Sequence, residues 1–242
     1  MVINIFVLNG SPKGNQSNTL RVTESFLDGL NSKRIYNVYV ANINEKNIEH
    51  CRGCFSCWTQ TPGKCIIKDD MKELITKYIN ADLIIWSFPL YYFGMPSKVK
   101  AFLDRMLPIY LPYISINNDK TSCHPLRYDL SHQRYILIST CGLYGTKNNY
   151  EALLKQFEFI FKDRLTKIIC PEGELFSIPQ IDGRTSRFLT HVKQAGKEFS
   201  TNGVFSEHTK RELNKLLLPP KIFIELVNTS WSITDSSINK NS

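Results

Sequence analysis

Along the first 200 residues, short apolar runs alternate with longer stretches in which apolar positions recur every third or fourth residue. Val2 to Leu8 is a β-branched run that predicts a strand. It ends in a loop rich in Gly, Ser, Asn and Lys, after which Asn18-Thr19 open a helical pattern carrying Val22, Phe26, Leu27 and Leu30, with Gly29 and Asn31 marking its exit. Ile35 to Val40 alternates with polar residues and predicts an edge strand. Asp69-Asp70 predicts an N-cap, with Glu73 three residues after Asp70, and Met71, Leu74, Ile75, Tyr78 and Ile79 make one helical face. Leu83 to Phe88 is continuous and apolar, as a central parallel strand requires. The loop from Pro89 to Pro96 leads into a helix carrying Val99, Phe102, Leu103 and Met106.

Between Pro108 and His132 the pattern lapses into prolines and Asn117-Asn118-Asp119. A loop of that length in a compact domain predicts a lid or a subunit contact. Tyr135 to Thr140 restores the buried-strand pattern, Leu153, Leu154, Phe157, Ile160 and Phe161 form a helical face, and Ile168 to Cys170 is a short last strand. Leu189, Val192, Gly196 and Phe199 predict a helix closing at Asn202-Gly203. Beyond it, Leu213, Leu216, Leu217 and Pro219-Pro220 make an amphipathic arm, and the Ser- and Asn-rich end after Ser230 reads as frayed.

Strand and helix patterns alternate five times, so the expected fold is an α/β, doubly wound, five-stranded parallel sheet of order 2-1-3-4-5 with helices on both faces. The expected domain spans residues 1–203, with a Cys-rich insertion at 51–65, and residues 204–242 form an arm suited to a subunit contact. In such a sheet, ligands sit at the carboxyl ends of the strands near the switch point. The loops from Asn9 to Asn18, Pro89 to Pro96 and Cys141 to Lys147 are therefore expected to build one site.

The chain has 242 residues, an ordinary apolar fraction and a formal charge of +8. Lys and Arg are spread over many segments without a basic stripe or interleaved stacking aromatics, which argues against a nucleic-acid partner. The start lacks a basic region ahead of a signal-length apolar core, and the longest apolar stretch is broken by Asp104, Arg105, Pro108 and Pro112, so the expectation is a cytoplasmic protein without a membrane span. Seven cysteines, four of them between Cys51 and Cys65, fit reduced thiols or a metal centre better than a secreted disulfide framework.

The first loop carries neither G-x-x-x-x-G-K-[ST] nor G-x-G-x-x-G. Its strand-loop-helix junction instead aims backbone N–H groups and hydroxyls at one point, which suits a terminal phosphomonoester such as that of FMN; a plain βα turn with a capped helix is the other reading. Cys51, Cys54, Cys57 and Cys65 have C-x2-C-x2-C-x7-C spacing, within reach of one four-iron cluster if the Thr61-Pro62-Gly63 turn returns the fourth, whereas zinc usually takes two separated pairs. A loop of free, partly buried thiols remains the alternative. Asp104-Arg105 read as surface or packing residues, and His50, His124 and His132 have no ligand spacing.

Three ordered motifs carry a resemblance: G-S-P-K-G-N-x-S-N-T at the start, C-x-G-C-F-x-C-W-x-x-T-P-G-K-C-x-x-x-D-D-M from Cys51 to Met71, and P-L-Y-Y-F-G-M-P-S-K-V-K-A-F-L-D-R from Pro89 to Arg105. Together they resemble the flavodoxin-like NADPH-dependent FMN reductase family. The resemblance implies FMN, with Ser11, Lys13, Ser17, Asn18 and Thr19 around its phosphate and Pro89, Leu90, Tyr91, Tyr92, Phe93 and Gly94 along its ring. Thr140, Cys141, Gly142 and Tyr144 would border the ring edge. It further implies a homodimer or homotetramer, NAD(P)H as substrate and a small electron acceptor: flavin, quinone, nitro or azo compound. No protein acid or base is assigned, because the hydride chemistry belongs to the flavin. The cysteine motif is similar to that of iron-sulfur flavoproteins, which implies a [4Fe-4S] cluster on Cys51, Cys54, Cys57 and Cys65. Its longer final spacer, holding Trp58 and T-P-G, instead looks like a reductase subgroup for which no cluster is implied. An iron-sulfur flavoprotein, or a flavodoxin-like carrier or redox sensor without turnover of its own, is thus the alternative; the basic balance weighs against the carrier.

Overall fold

In the computed structural model, which describes residues 2–31, 35–117 and 120–231, the first apolar run becomes β1 (Ile3–Asn9) and the pattern after its loop becomes α1 (Asn18–Asn31). There follow β2 (Tyr36–Asn42), a short α2 (Ser56–Thr59) inside the cysteine-rich connection, α3 (Met71–Ile79), β3 (Leu83–Pro89) and α4 (Ser97–Asp104). The long connection contains a small antiparallel hairpin, β4 (Ser115–Ile116) and β5 (Ser122–Cys123). Then come β6 (Arg134–Thr140), α5 (Glu151–Phe161), β7 (Leu165–Cys170), α6 (Asp182–Asn202), α7 (Glu207–Leu213) and α8 (Pro220–Ser230). The main sheet is parallel throughout, in the order β2-β1-β3-β6-β7. Counted within that sheet this is 2-1-3-4-5, a flavodoxin-like α/β fold.

Alternation along the strands divides the core in two. Phe6, Leu8, Ile84, Trp86 and Leu137 face α3, α4 and α5, whereas Ile5, Val7, Ile85, Ile136 and Ile138 face α1 and α6. Trp86, fully buried, packs edge-on to Phe102 and Phe157 at ring separations of 5.7 and 5.5 Å. On the other face α1 and α6 touch backbone to backbone. A Cβ on Gly29 would lie 2.0 Å from the Lys193 carbonyl oxygen, and one on Gly196 would lie 2.2 Å from that of Phe26. Gly29, read from the sequence as an exit signal, is therefore a packing position. Gly203 at φ +71° closes α6, as its left-handed C-cap role predicts.

One local expectation is corrected. Asp70 makes no capping bond to α3; its carboxylate accepts from Asn47 N at 2.8 Å, and Asp69 Oδ1 accepts from Met71 N at 3.1 Å instead. The segment after Gly203 places Leu213, Leu217, Leu218 and Phe223 in the second core cluster. Asn118 and Asp119 of the long loop, and the expected frayed end from residue 232 onward, lie outside the described residues. No helix among the described residues is long and apolar enough to cross a membrane.

Candidate functional site

The carboxyl ends of β1, β3, β6 and β7 are laced together by polar groups rather than by side-chain packing. Asn9, fully buried at the end of β1, donates to the Gly14 carbonyl at 3.0 Å and to Asn42 Oδ1 at 2.8 Å, while its own Oδ1 accepts from Ser11 N at 3.3 Å. That sets the path of the first loop. Gly10 N donates to the Ser87 carbonyl, and Leu90 N donates to that of Thr140 at 2.7 Å. Gly10 must be glycine for space, since a Cβ there would sit 2.2 Å from Val99 Cγ2. Ser17 Oγ accepts from Leu20 N at 3.2 Å and so caps α1.

These bonds leave a pocket lined by Ser11, Lys13, Ser17, Asn18, Thr19, Pro89, Leu90, Tyr91, Thr140, Cys141 and Gly142, with Gly173 and Glu174 completing its wall. Three segments far apart in sequence thus converge. Thr19 and Thr140 share a short hydroxyl bond of 2.6 Å across the floor. Cys141 is buried there, and that burial pushes its thiol up. The hydroxyls of Ser11, Ser17 and Thr19, the Lys13 ammonium and the positive end of a 14-residue helix make a donor set that fits a phosphate dianion. Pro89, Leu90 and Tyr91 offer the apolar side that a flavin ring needs.

Other residues expected here stand differently. Asn18 points its amide at the Gly173 carbonyl (2.9 Å) and Ser177 Oγ (3.2 Å), so it braces α1 against the loop after β7 rather than offering a free donor. Tyr92, Phe93, Gly94 and Tyr144 are not part of the lining. Tyr91 and Gly94 exchange two backbone bonds of 2.9 Å around a two-residue turn, with Tyr92 at φ +48° and Phe93 at φ +64°. That geometry demands left-handed residues and here receives two aromatics, with Tyr92 99% exposed at the tip. A Cβ on Gly94 would meet only the Tyr91 carbonyl at 3.9 Å, so no protein group crowds it. Tyr144 sets its ring 6.5 Å from Phe223 on α8.

Gly173 and Glu174 escaped the sequence reading, which assigned no site residue after the last strand; the Pro171-Glu172-Gly173 turn at a strand's carboxyl end was the available signal. A Cβ on Gly173 would lie 2.8 Å from Thr140 Cβ, so the pocket wall is built at the closest approach a backbone allows. Glu172 before it is fully buried at φ +62°. Its carboxylate accepts from the amides of Leu217 (2.5 Å) and Leu218 (3.2 Å), tying the segment between α7 and α8 to the rear of the pocket. Burial pushes this carboxyl up, against the two amides that favour its charge.

A second pocket, sharing no lining residue with the first, brings Cys51, Cys54, Cys57 and Cys65 together with Arg52, Phe55, Ile66, Ile67, Leu107, Pro108, Asp104 and Arg105. The Thr61-Pro62-Gly63 turn explains the long spacer. Thr61 N donates to the Ser56 carbonyl at 2.8 Å and Gly63 N to that of Cys57 at 2.9 Å, folding Cys65 back on the first three. Trp58 pins the loop by donating its indole N–H to the Tyr110 carbonyl at 3.0 Å, with its ring 4.7 Å from that of His124. Cys54 is held below the usual thiol range by its hydrogen bonds to Ser56, and burial pushes Cys57 up. Among the described residues no three His, Cys, Asp or Glu side chains stand close enough to hold one metal ion. A four-iron cluster takes one thiolate at each of four separate corners, and the four cysteines around this one pocket supply that donor set.

A five-stranded parallel sheet of this order, with a phosphate-suited pocket at its switch point, defines the class of flavodoxin-like α/β proteins. The chain belongs to the Flavodoxin_2 family, described as having a flavodoxin-like fold, whose model matches residues 3–164. An iron-sulfur flavoprotein of Archaeoglobus fulgidus is 33% identical over 99 residues, 41% of this chain and 43% of that protein. An FMN-dependent NADH:quinone oxidoreductase of Pseudoalteromonas atlantica is 27% identical over 109 residues, 43% of this chain and 54% of that protein. The match thus spans about half the length of these relatives. Among solved structures, an NAD(P)H:quinone oxidoreductase from Methanothermobacter marburgensis superposes with a TM-score of 0.60 at 16% identity, covering 84% of this chain and 99% of that one, a likeness of fold.

Proposed function

We propose that this protein is an FMN-dependent NAD(P)H oxidoreductase that reduces a small acceptor such as a quinone, a flavin, or a nitro or azo compound. The observation that carries the reading is the pocket where Ser11, Lys13, Ser17 and Thr19 meet Pro89, Leu90, Tyr91, Thr140, Cys141 and Gly142, with phosphate-type donors at one side and apolar walls at the other. FMN, when bound, supplies the ring that takes a hydride from the nicotinamide and hands electrons on. The residues of this chain bind and orient. Lys13 and the N-terminus of α1 neutralise the phosphate charge, the hydroxyls of Ser11, Ser17 and Thr19 fix its oxygens, and Leu90 and Tyr91 exclude water from one side of the ring. The exposed Tyr92-Phe93 turn offers aromatic surface at the rim, suited to an incoming flat acceptor or to a second copy of the chain in a homodimer.

The test is direct. Apo protein mixed with FMN should quench its fluorescence with one site per chain, and the loaded protein should oxidise NADH or NADPH when quinone, free flavin, nitro or azo compound is supplied. Failure to take up FMN, or flavin uptake without nucleotide oxidation by any acceptor, would remove the assignment.

A second reading is favoured by one observation, the four cysteines around a single pocket. In that reading Cys51, Cys54, Cys57 and Cys65 hold a [4Fe-4S] cluster that adds one-electron transfer, and the protein works as an iron-sulfur flavoprotein. Anaerobic purification with iron and sulfide analysis separates the two: about four irons per chain and a broad brown absorbance select the cluster protein, a two-band yellow spectrum without iron selects the simple reductase.

A further inference from the structure

At the edge of the cysteine pocket lies an ion pair that flavin chemistry does not use. Arg105 and Asp69 are 1% and 0% exposed, and they meet fork to fork: Nη1 to Oδ2 at 2.7 Å and Nη2 to Oδ1 at 2.9 Å. Nη1 also donates to the Glu49 carbonyl at 2.7 Å, while Asp69 accepts from the amides of Glu49 (2.9 Å) and Met71 (3.1 Å). The guanidinium plane is thereby locked, and its orientation cannot adjust to solvent. Its remaining nitrogen, Nε, is buried and has no hydrogen-bond partner. A buried N–H left without an acceptor is costly, so its position calls for a partner. Arg105 lines the pocket of the four cysteines.

We propose that the Arg105 Nε–H is a built-in hydrogen-bond donor to sulfur in the cysteine pocket, and that it raises the reduction potential of the cluster held there. The inference rests on the cluster reading given above. A donor aimed at a cluster sulfur favours the reduced, more negative state, and such hydrogen bonds are among the main controls of cluster potential. Asp69 cancels most of the guanidinium's charge, so what the pocket receives is a fixed dipole rather than an unscreened cation. Asp69 is in this sense the positioning residue, since its pairing with Arg105 is what aims the donor.

The experiment uses the full chain, labelled with arginine carrying ¹⁵N at Nε and loaded anaerobically with ferric and ferrous iron and sulfide, then reduced for the spectrum. Because Arg52 also lines the pocket, an Arg52→Lys background removes its contribution. Pulsed EPR of the reduced cluster should show a ¹⁵N coupling in this background, and Arg105→Lys should lose the coupling and move the midpoint potential to a more negative value at unchanged iron content. A fully loaded cluster with no ¹⁵N coupling, or an Arg105→Lys protein with an unshifted midpoint, overturns the proposal while the cluster reading stands. If Arg105→Lys does not fold, the coupling measured in the Arg52→Lys protein decides alone. A wild-type protein that takes up no iron and sulfide overturns both, a result seen in the metal analysis before any spectrum is recorded.

Discussion

Glu172 offers a sharp test of how the far end of the chain supports the flavin-type pocket. Its buried carboxylate is the only acceptor recorded for the amides of Leu217 and Leu218 among the described residues. In Glu172→Gln the amide oxygen can still take one of these donors, but the new NH2 group faces the other, so one buried backbone N–H loses its partner. A hydrogen bond to a charged group contributes about 1.5–3 kcal/mol, and relief of the buried charge offsets part of that loss. The net cost is then about 2 kcal/mol, roughly a thirtyfold increase in local opening. In a chain of this size it lowers the melting midpoint by about 4–8 °C. Hydrogen exchange at Leu217 and Leu218 should accelerate by the same factor, ahead of exchange in β1 and β3. Because Gly173 follows directly and forms the pocket wall, FMN affinity should fall with it. The pH dependence has a defined sign. Burial raises the carboxyl's pKa in the folded chain, so the native state binds the extra proton, and this group's contribution to stability is full below the unfolded pKa and lost as pH rises through the raised one. Unchanged exchange at Leu217 and Leu218 in Glu172→Gln, with an unchanged melt, would refute the clamp.

Three further perturbations test other parts of the molecule. Gly173→Val should abolish FMN uptake with little loss of helical signal, because its first carbon already stands 2.8 Å from Thr140 Cβ, as equilibrium dialysis of the variant can check. Arg105→Met leaves Asp69 buried and unpaired and should cost about 3–5 kcal/mol in urea unfolding, much of it recovered in the Asp69→Asn/Arg105→Met double variant. In wild type, burial pushes the Asp69 carboxyl up but Arg105 and the amides of Glu49 and Met71 outweigh it; its pKa is held below the ordinary value, so its contribution is present above the unfolded pKa and is lost as acid titration passes through the lowered one. Replacing Tyr92-Phe93 by Asn-Gly suits a turn with two positive φ angles and should raise stability by about 1–2 kcal/mol, while weakening acceptor reduction if the aromatic tip contacts the acceptor; an equal kcat/KM in both proteins would exclude that contact.

Periodicity and short-range chemistry account for most of the fold. The strand runs ending at Asn9, Pro89, Thr140 and Cys170, and the helical faces between them, are statements about which residues can lie on one side of a sheet, and a parallel order with right-handed crossovers leaves few ways to assemble them. That the first loop and Pro89 to Tyr91 would line one pocket was legible because a doubly wound sheet must bring strand ends together at its switch point. Other features were not visible along the chain. Gly29 and Gly196 look like a helix exit and a helix interior until two backbones are seen to cross. Asn18 looks like a phosphate donor until the Gly173 carbonyl takes its amide, and Arg105 looks like a surface residue until Asp69, 36 positions earlier, closes on it. Local sequence determines which backbone conformation and which burial a residue prefers, since those depend on its own bulk and polarity. Which partner a buried polar atom finds depends on where distant segments land, and that was decided only when the two faces of the sheet were packed.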